Sequence, residues 1–191
     1  MTEARRGLRS LAGVLLLVAA SSGCRDNAAA SGDAPSIFEG GADQVMLGVE
    51  HYMTADGVRR GRLLADTALT FEDASRVELR NPRIQFFDEA GVDRGLLTSA
   101  SGEYDLESGD MTVHRNVVLT GSVRSGAPAR LETDSLAFEA ASNRLTTDAS
   151  WILTHQDGTV ERGVGLVTDP ALENIETRDW SVSTPDVEVP R

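Results

Sequence analysis

The stretch LADTALTFEDASRVEL, Leu64–Leu79, recurs in altered form further along the chain. LTSASGEYDLESGDMTV starts at Leu97 and LETDSLAFEAASNRLTT at Leu131. Each copy opens on Leu, and an aromatic follows seven residues later: Phe71, Tyr104 and Phe138. A turn comes next, then a second short run. The starts lie 33 and 34 residues apart. A weaker fourth copy begins near Val164, in VGLVTDPALENIETRDW. Hairpin units of one length imply a stacked sheet or roll rather than an α/β domain. The offset of seven is odd, so Leu and aromatic would face opposite sides of a straight strand. Either a bulge intervenes or the two residues belong to different layers.

Outward from these units the period stays at two. VMLGVEHYM puts Val45, Leu47, Val49, His51 and Met53 on one face. IQF, VVL and WIL continue the style, which reads as half-buried antiparallel strands. Turn signals fall between the runs: Asp56–Gly57, Glu89–Ala90–Gly91, Ser108–Gly109–Asp110, Ser142–Asn143 and Asp157–Gly158. Pro82 interrupts and marks a bulge or an edge position. No helical period is sustained beyond the N-terminal run. The fold expected from the period is all-β over 44–183, a stacked sheet or roll, with a β-sandwich of recurring hairpins as the alternative and a short tail at 184–191.

The chain has 191 residues, enough for one domain with a real core. Its formal charge is −12, and all 18 basic residues are Arg. An acidic surface repels phosphate backbones, which argues against nucleic acid as a partner. It also gives no pull toward anionic lipid, so membrane attachment has to come from apolar contact or a covalent anchor.

The only cysteine is Cys24, so an internal disulfide is excluded. Arg5, Arg6 and Arg9 precede an apolar run of ten residues, Leu11–Ala20. A spanning helix needs about 20 residues, whereas this length suits the apolar part of an export signal. Small residues lead to Gly23–Cys24. The segment resembles a bacterial lipoprotein signal, which implies cleavage after residue 23 and a lipid on Cys24. It departs from that pattern at Ser21, where the family usually has Leu. An ordinary cleaved signal and an uncleaved signal anchor are the other two readings. RDNAAASGDAPS then reads as a flexible tether, with 24–43 linking anchor to roll. Cleavage would remove Glu3, Arg5, Arg6 and Arg9 from 18 basic and 30 acidic residues, leaving 15 and 29.

The hairpin unit and the layout together resemble the LptC family of lipopolysaccharide-export components. The unit itself is also similar to LptA/OstA-like domains. HQDGTVERGVGLVTDPALENIETRD is similar to the end of LptC-family chains, and the likeness covers about 44–180. It implies a twisted antiparallel β-roll, or β-jellyroll, at the periplasmic face of the inner membrane. Lipopolysaccharide would be the cargo, with the transporter's membrane components at the N-terminal edge and an LptA-like bridge protein at the C-terminal edge. Many members use a transmembrane helix where this chain offers Cys24. Arg25 after the cysteine would, by the enteric sorting habit, send the protein to the outer membrane instead.

Such a carrier needs an apolar trough between two layers. The inward-facing candidates are Leu69, Phe71, Leu79, Ile84, Phe86, Tyr104, Leu106, Val113, Leu119, Leu136, Phe138, Trp151 and Leu153. The same residues would equally serve as a plain core. His51, His114 and His155 are scattered, so no metal site is expected. No G-x-S-x-G elbow occurs, and Gly163–Val164–Gly165 opens no helix. No cofactor and no catalytic activity are expected. The rival readings are an envelope scaffold with a closed core and an enzymatic β-domain with converging polar groups.

Overall fold

The structure is a computed structural model that describes residues 41–55, 57–71 and 75–184. The signal, Cys24 and the tail at 185–191 lie outside the described residues. Among those described there are eleven strands. They are β1 Gln44–Ala55, β2 Val58–Thr70, β3 Arg76–Arg80, β4 Arg83–Phe87, β5 Asp93–Thr98 and β6 Ser101–Asp105, then β7 Met111–Ser122, β8 Pro128–Glu139, β9 Arg144–His155, β10 Val160–Thr168 and β11 Ile175–Ser183. Every pairing is antiparallel, as period two requires.

The turn residues read from the sequence sit where the chain reverses. Gly57, Gly91, Gly109 and Gly158 have φ between 77° and 85°, and Asn143 has φ 52°. These are left-handed conformations that Gly and Asn adopt cheaply.

Long strands bend midway and serve two layers. The Gly61–Leu64 half of β2 pairs β4, and its Thr67–Thr70 half pairs β3. In β7, Val118–Thr120 pairs β5 and Met111–His114 pairs β6. The bend is marked by register shifts between His114 and Val117, Thr133 and Ala137, and Val164 and Leu166. Asn81, Arg115, Asn116, Gly48 and Gly165 have positive φ along the same line. Pro82 follows Asn81 at this corner and interrupts the run between β3 and β4, which pair β2 in one register on either side of it. The result is a roll. β3 and β4 pair β2 in one register, and β5 and β6 pair β4 and β3 in one register before meeting β7, so the series runs β1, β2, β3–β4, β5–β6 and on through β7 to β11.

Two inner rows of side chains hold the layers together. The first runs across neighbouring strands as His51, Leu63, Ile84, Leu97, Leu119, Leu131, Leu153, Glu161 and Val182. Its six aliphatic members from Leu63 to Leu153 are at most 2% exposed. Full burial of each contributes about 1.5–3 kcal/mol. The second row, on the other layer, is Thr70, Val77, Tyr104, Met111, Phe138, Leu145, Thr168 and Ile175. Leu97 and Leu131 lie in the first row, while Tyr104 and Phe138 lie in the second. The odd offset of seven therefore crosses the bend from one layer to the other. In the first copy the residues in register are Leu63 and Thr70, one position before Leu64 and Phe71.

β1 departs from the expected single face. Gly48, at φ 63°, turns the strand over. Val49 pairs buried Ala65, whereas Leu47 pairs Thr67 and is 78% exposed. Leu47 therefore lies outside the face shared by Val49, His51 and Met53.

Candidate functional site

The two layers face each other across a seam. Phe86 of β4 meets Phe138 of β8 at a ring-centroid separation of 5.1 Å, tilted by 55°, a favourable aromatic geometry. Of the expected inward residues, Leu79, Ile84, Phe86, Tyr104, Val113, Leu119, Leu136, Phe138, Trp151 and Leu153 all belong to one buried cluster. The deep interior is filled by these side chains. Trp151 is 1% exposed, and its indole N–H donates to the Gly165 carbonyl at 3.3 Å. Among the described residues no buried side-chain polar atom lacks a partner.

Three expected residues fall elsewhere. Leu106 is 59% exposed, because β6 ends at Asp105 and the chain then turns. Phe71 lies just beyond the end of β2 and is half-buried, outside the cluster. Leu69 is buried, but it pairs Val45 and Glu78 and so lies on the outer face. Period two alone cannot register the phase change at each bend. Leu63, Leu97, Leu131 and Leu145 were not among the expected residues. The repeat that placed Leu97 and Leu131 at its starts was the signal for two of them.

The seam opens into grooves towards both ends. At the N-terminal end, His51, Met53, Tyr104, Leu106 and Phe138 line a groove of about 590 Å³, with Arg60 and Glu89 at its rim. His51 Nε2 and the Tyr104 hydroxyl lie 3.2 Å apart, joining β1 to the opposite layer. Burial, then the neighbouring Asp105 carboxylate, raises the Tyr104 pKa, so the phenol stays neutral and can donate. Asp105 itself is held below the usual carboxylate range by the backbone N–H groups of Ser108 and Glu107. That ties down the turn at the groove's edge.

At the C-terminal end, Leu153, Leu172, Ile175 and Trp180 line a groove of about 600 Å³. Trp180 shares its row with Gly163 and Trp151, and Val182 shares one with Leu153. Both therefore belong to the inner face, yet they are 59% and 49% exposed. Apolar inner surface thus runs out uncovered at β11. Among the described strands, β1 and β11 each have one partner, so each presents an unpaired edge. No group of His, Cys, Asp and Glu among the described residues could hold a metal ion.

These features define an all-β roll with an apolar seam that opens at two ends, each bordered by an unpaired strand edge. The chain belongs to the LptC-related lipopolysaccharide-assembly family, whose signature matches residues 15–176. That family consists of transport components. Among solved structures, one similar chain is LptH from Pseudomonas aeruginosa, described as the LptA-homologous periplasmic component of the lipopolysaccharide transport device. It is 11% identical, with a TM-score of 0.49 over 66% of this chain and 95% of that one. A search of curated proteins returned no match.

Proposed function

We propose that this protein receives lipopolysaccharide from an inner-membrane ABC transporter and passes it towards the outer membrane, holding the acyl chains along the seam. The observation that carries this reading is the inner face of β11. Trp180 and Val182 continue the buried rows of the roll into an uncovered apolar surface. A soluble module gains nothing from exposing that surface unless cargo or a partner covers it. The β1 edge meets the transporter, and the β11 edge meets an LptA-like bridge protein by strand addition. A lipid on Cys24 holds the roll at the periplasmic face of the inner membrane; retention at the outer membrane is the alternative address.

The filled interior favours a second reading, an envelope scaffold that carries no lipid. Leu119 and Leu131 have no exposed surface at all. Acyl chains would have to enter by spreading the layers from the groove ends. Photocrosslinkers at Phe86, Phe138 and Trp180 in cells separate the two readings. Transport predicts crosslinks to lipopolysaccharide at Trp180 and at one or both Phe positions. Absence at all three positions overturns it in favour of the scaffold.

A further inference from the structure

The segment joining β10 to β11 does not loop away into solvent. Thr168, where it starts, lies in the second row beside Leu145. From there the chain crosses to the facing layer. A Cβ at Gly95 would overlap the Pro170 carbonyl oxygen, and one at Gly121 would lie 2.7 Å from the Ala171 carbonyl oxygen. Gly95 pairs Phe86 and Gly121 pairs Ala129, both buried, so the segment lies on the inner face of β5 and β7. Two glycines on adjacent strands give the backbone its close approach.

The segment is held from both sides. The Ser122 N–H donates to the Ala171 carbonyl at 3.0 Å. Arg124 donates to the Asn174 side chain at 2.7 Å, and Arg94 pairs Glu173 at 3.4 Å. Leu172 is 1% exposed within the core cluster and adopts φ 63°, an unusual conformation for a branched residue. Asp169 organises the segment internally: its carboxylate accepts from the N–H groups of Ala171, Glu173 and Asn174. The segment also separates two grooves. Pro170 and Ala171 line one of about 300 Å³ with Phe86 and Phe87, which shares Arg60, Glu89 and Asn143 with the N-terminal groove, while Leu172 lines the C-terminal groove with Leu153 and Trp180.

We propose that Asp169–Asn174 is a strap that closes the seam midway and has to lift for an acyl chain to run from the N-terminal groove to the C-terminal one. This rests on the transport reading above. Among the described residues the tethers to the facing layer are one backbone hydrogen bond, two exposed Arg contacts and the buried side chain of Leu172, held at an unfavourable φ. A small set of contacts of this kind suits an element with two positions. The seated strap competes with cargo, so releasing it raises apparent affinity.

The test uses the purified full chain and purified lipopolysaccharide. Variants Gly121→Ala and Asp169→Ala release the strap by independent routes, one by overlap and one by loss of its internal hub. Hydrogen exchange is followed at Ser122, whose N–H reports the closed strap, and at Leu119 and Leu131, which report the folded core. In the wild type, lipopolysaccharide is expected to speed exchange at Ser122 about tenfold while core protection stays. Either variant with an intact core is expected to bind about tenfold more tightly than wild type. Unchanged Ser122 exchange in a lipopolysaccharide-bound wild type overturns the strap but not transport. So does wild-type affinity in the variants whose strap has been released. Failure of the wild type and both variants to bind at all overturns the cargo reading and the strap with it.

Discussion

Gly163 shows how much a single missing methyl group controls. It sits between Trp151 on β9 and Trp180 on β11. A Cβ there would lie 2.5 Å from the Trp151 ring and would overlap the Asp179 backbone oxygen. Backbone cannot step aside as a side-chain tip can. Gly163→Ala is therefore expected to destabilise the roll by about 1–3 kcal/mol through overpacking. Urea unfolding followed by Trp fluorescence measures it, and an unchanged midpoint would refute the close packing around Trp151. The sequence shows Gly-Val-Gly but not which glycine is tight. Gly163 is the crowded one, whereas Gly165 is set by its φ of 71°. Only tertiary contact separates the two. Leu106 makes the same point: it continues an alternating YDL run, yet the turn stabilised by Asp105 carries it out of the core.

At the scale of elements, period two and turn chemistry made most of the roll legible. The hairpin turns lie at the Gly and Asn positions their backbone demands, and the 33- and 34-residue spacing reports a real unit. Strand bends were not legible. Arg115 and Asn116, at φ 64° and 54°, interrupt β7 within what reads as a continuous HRNVVL run. Asn116 is a type that adopts this conformation cheaply, but Arg115 is not, and each bend shifts which alternate residue faces inward. Phe71 and Leu69 were misplaced for this reason. The C-terminal edge is formed by β11, which runs Ile175–Ser183 as a terminal strand with one partner. Charges on its inner face should block continuation of the sheet. Replacing Trp180 and Val182 by Asp is expected to abolish pull-down of the LptA-like bridge protein while leaving the melting temperature near wild type, since both side chains are already about half exposed. Pull-down at the wild-type level would remove β11 as the docking edge.

For the whole molecule, family membership supports a part in lipopolysaccharide transport, and the proposed attachment rests on Cys24. The bulk acidity is why an anchor is proposed, since a chain of charge −12 is not drawn to an anionic leaflet. Acyl chains on a cysteine supply about 0.8 kcal/mol for each buried CH₂. Mass spectrometry of the mature N-terminus, run on separated inner and outer membranes, is expected to find a lipidated Cys24 in the inner-membrane fraction. A mature chain starting elsewhere would refute the anchor. Recovery in the outer membrane alone would refute the address.

The strand order has a consequence for how the sheet can be lengthened. β3 and β4 follow β2 in one register and β5 and β6 follow them, so β1 to β11 make a single antiparallel series. Among the described strands only β1 and β11 have a free side, so a further strand can join at two places and nowhere between them. The two places lie at opposite termini of the series, so a substitution that caps one leaves growth at the other untouched, and the two can be silenced separately.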